Sequence, residues 1–317
     1  MPGFKCRRPP LGRAALSKFA PPLAVLAGLV LVGCLRGPVP TNAFAQFYDQ
    51  PAAEELPGQL VIYFLDTGQS DAIYVRAPSG QVMIIDTGDV ETPGRVMSFL
   101  AERKKVTRIE ALVLSHPHAD HIGDALAILN GLEVGAFCQS GYLHTTPAYQ
   151  GILERVLELS KSGRSIYLEA RAGDTLDLGP EVKVSVLHPT GVLGAEANEA
   201  SLVIKVVFGS FSVLFTGDIG EASERALVER GADLGATVLK VAHHGSAGSS
   251  EIGFLAAVQP RVAVIEVGAG NGYGHPSPFT LRRLQAIGAR VLRTDEDGTI
   301  MIHSDGREWW VLTAAGE

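Results

Sequence analysis

Ser115-His116-Pro117-His118-Ala119-Asp120-His121 packs three imidazoles and a carboxylate into six consecutive positions, 116 to 121. These are the donors that zinc, manganese and iron accept. The segment follows the apolar run Ala111–Leu114 and precedes a helical stretch that contains Gly123. A strand end that runs into a tight loop can turn alternate side chains into one cavity. The spacing therefore reads as a metal site rather than as a polar loop with incidental histidines.

Three further segments carry matching chemistry. Phe215-Thr216-Gly217-Asp218 ends an apolar run about 100 residues after the first motif. Lys240-Val241-Ala242-His243-His244-Gly245-Ser246 and Asn271-Gly272-Tyr273-Gly274-His275-Pro276 each follow an apolar strand. Asp218 alone is an ordinary Gly-Asp turn; its place at a strand end, downstream of the histidine cluster, makes it a candidate ligand. His243, His244 and His275 are candidates either for the metal or for the substrate, and their spacing does not rank them.

The elements that must position these residues are short. Leu60–Leu65, Val82–Ile85, Ala111–Leu114, Thr237–Val241 and Val262–Val267 read as strands bounded by turn residues. Ser201–Phe208 and Phe211–Phe215 flank Gly209-Ser210, a two-residue hairpin signal. Helices are expected from Pro93, over Ile122–Leu129, Ile152–Leu159, Glu221–Glu229, Glu251–Val258 and Phe279–Ile287, with short β segments to Leu312. Hairpins first, then strands and helices in mixture, argue for antiparallel or mixed sheets covered by helices, not for a doubly wound parallel sheet.

The pattern His-x-His-x-Asp-His resembles the signature of the metallo-β-lactamase superfamily. Within it, further segments resemble one branch, the ComEC-type competence proteins. Phe64-Leu65-Asp66-Thr67-Gly68-Gln69-Ser70-Asp71-Ala72 resembles their opening segment, and Ile85-Asp86-Thr87-Gly88 their next strand end. Ala197-Asn198-Glu199-Ala200-Ser201-Leu202 and the two later histidine motifs fit as well, so the likeness runs from about residue 59 to 305. Ser70 and Thr67 depart from the usual residues of that opening.

The resemblance implies an α+β fold, a four-layer αββα sandwich with its site at one edge of the sheets. It also implies two divalent metal ions, Zn or Mn. His116 and His118 would hold the first and Asp120 and His121 the second, with Asp218 bridging them. One of His243, His244 and His275 would complete the second position. Relatives often give the first metal a further histidine. Here the interval offers only His144 and His188; His188 reads as structural and His144 as a surface or pocket-edge residue. Fewer protein ligands at that position suggest weaker or manganese-type occupancy. Asp66 and Asp71 are candidates for orienting the histidines, and Asp86 for fixing the loop.

Such a pair of ions lowers the pKa of a bound water and makes hydroxide available. Asp120 would orient the nucleophile, and His243, His244 or His275 would protonate the leaving group. The expected reaction is hydrolysis of a phosphodiester, as a nuclease or phosphodiesterase. A hydrolase of a small ester, lactone or β-lactam is the alternative enzyme. A non-catalytic anchored binding module is the alternative outside enzymology.

The start of the chain is different in kind. Five basic residues up to Lys18 precede an apolar run, Leu23 to Leu35, which is shorter than the roughly 20 residues that span a bilayer and suits an export signal. Leu31-Val32-Gly33-Cys34 reads as a lipobox, with Cys34 lipidated. Ala43-Phe44-Ala45 offers ordinary cleavage instead. Residues 46–58 would then be a linker, and 59–317 the hydrolase domain, held at the cell envelope or released. Residues 1–36 hold six basic side chains and no acidic one, so without them 21 basic residues face 34 acidic ones, a net charge of −13. That balance argues against strong phosphate-backbone binding without a local basic patch. Arg103-Lys104-Lys105 reads as a solvated helix end, and Cys138 as a buried thiol.

Overall fold

Alternate residues of the first strand set the architecture. In β1 (Leu60–Phe64), Leu60, Ile62 and Phe64 enter a core between two sheets, as a period of two requires. On the opposite face, Tyr63 packs edge-on against Tyr74 and Phe99 at 5.8 and 5.3 Å. The computed structural model describes residues 57–313 apart from 192 and 195. The expected export signal, Cys34, the cleavage point after Ala45 and the linker up to residue 56 lie outside the described residues.

β2 (Ala72–Arg76), β3 (Val82–Thr87), β4 (Arg108–Val113), β5 (Glu133–Gln139) and β6 (Ile166–Glu169) extend the first sheet. The second holds β7 (Thr175–Leu176), β8 (Lys183–His188), β9 (Val203–Phe208), β10 (Phe211–Phe215), β11 (Val238–Lys240), β12 (Val262–Ile265) and β13 (Arg290–Arg293). The chain then returns to the first sheet with β14 (Ile300–Ser304) and β15 (Trp309–Thr313). The orders are β15-β14-β1-β2-β3-β4-β5-β6 and β13-β12-β11-β10-β9-β8-β7. Both sheets are mixed: β3 to β6 run parallel, as do β10 to β13.

Phe64 and Phe215 meet across the sheets with ring centroids 6.1 Å apart. Helices α1 (Arg95–Ser98), α2 (Ala125–Gly131) and α3 (Pro147–Lys161) accompany the first sheet. Helices α4 (Glu221–Glu229), α5 (Ile252–Val258) and α6 (Pro278–Ala286) cover the second through a separate apolar cluster that includes Leu227, Phe254 and Leu284. A last helical turn, α7 (Thr294–Asp297), follows β13. Helix, sheet, sheet and helix layers are the expected αββα sandwich. Among the described residues no helix is long and apolar enough to cross a membrane.

Three local differences have physical causes. The helix expected from Pro93 begins at Arg95, because the Asp124 carboxylate accepts N–H groups of Gly94, Val96 and Met97 at 2.6 to 3.0 Å. Lys104 is no solvated charge: its ammonium donates to Tyr63 Oη at 2.7 Å and lies 4.0 Å from the ring centroid. The Gly209-Ser210 hairpin forms as expected, with φ +58° at Gly209. A Cβ there would strike the Gly306 carbonyl oxygen at 2.2 Å.

Candidate metal centre

Parallel strands deliver their C-terminal ends to one edge. Asp86 is the penultimate residue of β3, the 115–121 loop follows β4, Asp218 follows β10, His243 and His244 follow β11, and Glu266 follows β12. β2 runs antiparallel to β3, so Asp71, just before β2, arrives at the same edge. Gly217 (φ +51°) lets the loops after β4 and β10 close, since a Cβ on it would stand 2.9 Å from both Ser115 Cβ and Ser201 Cβ. Ser201 Oγ accepts the Asp218 amide at 3.2 Å, and Leu202 N donates to Ser115 O at 2.9 Å.

Asp120, His121, Asp218 and His244 offer one donor atom each within 4.8 Å of one another. Asp218 Oδ2 stands 3.4 Å from His121 Nε2, 3.6 Å from His244 Nε2 and 3.9 Å from His116 Nε2. Asp120 Oδ2 is 3.2 Å from His244 Nε2. Beside this group, His116 Nε2 faces His118 Nδ1 at 3.0 Å, close to the spacing of two nitrogens sharing one ion at roughly 2.0–2.1 Å each.

The unpartnered atoms of the cluster fit a cation. His121 Nε2 and Asp218 Oδ1 are buried and make no hydrogen bond, a costly state unless another partner completes them. The other ring nitrogens are taken. His121 Nδ1 meets Asp86 Oδ2 at 2.9 Å, and His244 Nδ1 meets Glu266 O at 2.8 Å with Asp71 Oδ1 at 3.3 Å. Those acceptors fix each ring so that Nε2 points into the cluster. Asp86 is itself held by Ser115 N and Oγ at 2.7 and 2.6 Å.

His243 and His275, also expected as metal donors, stand outside this four-residue group. His243 and His244 both adopt left-handed backbone conformations, with φ 51° and 50°. The turn buries the His244 side chain and leaves that of His243 34% exposed, with Nε2 3.9 Å from Asp218. The His275 ring lies against His243 and His244 at 5.6 and 6.4 Å. His188 ties Nδ1 to Ser201 O at 3.0 Å at the end of β8, and the His144 ring edges His118 at 6.0 Å. Asp66 accepts within its own turn, from Gly68 N at 3.3 Å. Cys138 is buried in the core between the sheets.

Beneath the donors lies a charged layer in which Asp71, a candidate for orienting the histidines, meets two residues to which the sequence motifs give no role, Lys240 and Glu266. The Lys240 ammonium, 1% exposed, pairs with Asp71 and also contacts Gly217 O at 3.2 Å and Asp218 Oδ1 at 3.8 Å. Glu266, fully buried, accepts the Ala72 amide at 2.9 Å. Burial opposes the Lys240 charge, but Asp71, Asp218 and Glu266 outweigh it and raise the ammonium pKa. Burial and the nearby Asp71 push the Glu266 carboxyl well above its usual range. Lys240 lay inside a recognised motif; Glu266 sat unmarked at the end of an apolar run.

The centre is electrostatically divided. Burial, then the neighbouring His121, holds His116 well below 6.5, ready to donate a lone pair. Burial opposes charge on His121 and His244 as well, but Asp218 leads the carboxylates that reverse it. His121 rises well above 6.5 and His244 to about 10. Asp218 is held well below the carboxylate range, since His121 and His244 overcome the cost of burying it.

A metal entering here must displace protons from His121 and His244. Affinity is therefore expected to rise with pH through neutrality, by about tenfold per pH unit for each proton released. Calorimetric Mn²⁺ titrations in two buffers of different ionisation heat read that release directly; none at pH 7 would contradict the assignment. Without metal the sign reverses. The raised His244 pKa gives stability that is complete below about pH 6.5 and fades as pH climbs towards 10.

Residues 65–268 match a family model described as the metallo-beta-lactamase superfamily. The chain is 33% identical over 261 residues to ComE operon protein 3 of Bacillus subtilis (strain 168), a match covering 77% of this chain and 33% of that protein. It is 30% identical over 284 residues to Competence protein ComA of Neisseria gonorrhoeae, covering 88% of this chain and 38% of that one. The chain thus spans about a third of the length of these curated relatives. Among solved structures, a CmlA beta-hydroxylase superposes with a TM-score of 0.50 at 17% identity, over 78% of this chain and 54% of that one, a likeness of fold alone.

Proposed function

On the premise that this chain belongs to the metallo-beta-lactamase superfamily, we propose that it is a two-metal phosphodiesterase or nuclease working outside the cytoplasm. The convergence of Asp120, His121, Asp218 and His244 carries the reading. The likeness to two competence proteins supports a phosphodiester substrate. His116 and His118 would hold one ion, and Asp120, His121 and His244 the other, with Asp218 facing both. Two divalent ions, zinc or manganese, would supply a nucleophile from water at neutral pH and stabilise the charge that develops on the attacked group.

The chain's own groups do the rest. Burial works against the Asp120 carboxylate, but His121 and the hydrogen bond from His244 keep it charged. It can thus accept a hydrogen bond from an attacking water and orient it. His243 reaches from the exposed rim to 3.9 Å from Asp218, where it can hand a proton to a leaving oxygen. His275, held below 6.5 by burial and the nearby His243, stays neutral at the same rim and can accept a hydrogen bond.

The basic start and the apolar run up to Leu35 support export, with a lipid anchor at Cys34 or release after Ala45. Purified protein should be assayed on single-stranded DNA, bis-p-nitrophenyl phosphate and a chromogenic β-lactam, with Mn²⁺, Zn²⁺ or chelator. Metal-dependent cleavage of the phosphodiesters is expected. Turnover of the lactam alone would replace this reading with the small-molecule one.

A further inference from the structure

Resting on the phosphodiesterase reading, we propose that Tyr273 is a platform on which a nucleobase stacks, so that the centre takes single-stranded nucleic acid. Among the described residues the exposed large apolar side chains include two aromatics, Tyr273 and Phe279, 75% and 61% exposed. Both lie in the segment that follows β12 and carries His275. The Tyr273 ring is stacked on that of His275 at 5.8 Å and 24°, and His275 is stacked on His244 at 6.4 Å and 24°. His244 Nε2 is the atom beside Asp120 and Asp218. Three rings in series therefore lead from solvent to the metal donors, and the outermost presents an open aromatic face.

The loop holding that face is braced. Asn271 Oδ1 accepts N–H groups of Tyr273 and His275 at 3.1 Å each. Asn271 Nδ2 donates to Gly268 O at 3.0 Å and His275 O at 2.6 Å. The whole amide is spent on fixing the turn, so little ordering is left for a ligand to impose.

Charge decides what the platform is for. The chain carries a net charge of −7, and −13 without residues 1–36. A phosphate backbone gains little affinity from such a protein. Stacking is indifferent to net charge, because every base has a π face, and one base on an aromatic side chain is worth roughly ten- to hundredfold in affinity. Bases paired in a duplex do not offer a free face, whereas an unpaired base within a nucleotide or two of a phosphate at the metals does.

The test uses the full-length protein carrying Asp218→Ala, so that ligand survives the measurement. Fluorescence anisotropy would compare a labelled oligothymidylate with an abasic oligomer of equal length, at two salt concentrations. The oligothymidylate is expected to bind about tenfold or more tightly, with little change of that ratio with salt. Adding Tyr273→Ala should erase the preference, and Tyr273→Phe should keep it. A preference that survives Tyr273→Ala, or equal binding of both oligomers by the parent, overturns the platform. Cleavage by the wild-type protein separates the two readings. Base preference without hydrolysis leaves the platform and removes the phosphodiesterase; hydrolysis of both oligomers without preference does the reverse.

Discussion

Asp218→Ala is expected to lower kcat by about a thousandfold or more on any substrate the protein hydrolyses, because this one carboxylate would serve both proposed metal positions. Its Oδ2 lies within 3.9 Å of nitrogens from His116, His121, His243 and His244. The loss should appear in kcat and in metal content together, with KM for a phosphodiester changed far less. Asp218→Asn keeps the volume and removes the charge, so an equal loss there would assign the effect to electrostatics rather than packing. Activity within tenfold of wild type in both variants would show that Asp218 is not shared between ions.

The largest effect on stability is expected at Lys240. Its ammonium is buried beneath the donors and answers Asp71, Asp218 and Glu266. Removing one partner of a buried ion pair typically costs about 3–5 kcal/mol, because the charge left behind is uncompensated. Lys240→Met should therefore unfold at markedly lower urea concentration, with an unchanged m value. The same substitution combined with Asp71→Leu should recover much of the loss, since both charges then leave the interior. A single variant within about 1 kcal/mol of wild type would mean that water reaches this layer. The metal-binding effect goes the other way in the double variant, because the Asp71 carboxylate, 3.3 Å from His244 Nδ1, is a charge beside the ring that Glu266 O holds.

These two sites also mark how far the sequence can be read. The donors of the 115–121 loop are legible because one short segment carries four of them at a strand end. Asp218 is legible from its place after a hairpin strand. Asp86, read only as a loop brace, both braces Ser115 and orients His121. The choice among His243, His244 and His275 is not legible. It depends on consecutive left-handed residues, φ 51° and 50°, that turn neighbouring imidazoles to different environments. Local spacing does not encode that reversal.

Asp71 is legible as a group that orients histidines, but its layer with Lys240 and Glu266 is hidden for another reason. Its three members come from the segments before β2, within β11 and after β12, so only tertiary closure assembles them. Glu266 closes an apolar run in which strand periodicity is the dominant signal. The fold was clearer than the connections. β1, the β9–β10 hairpin and the helices α3 to α6 follow from apolar pattern and turn residues. β2, β5, β6, β7 and β8 are not picked out: they are two to seven residues long and take their stability from neighbours across the sheet.

The most direct measurement of the central claim is crystallographic: anomalous scattering at the Mn edge from crystals of the protein soaked in Mn²⁺. A peak bounded by Asp120, His121, Asp218 and His244 is the predicted result, with a second beside His116 and His118. An intact fold with no anomalous density among those four side chains would contradict the account.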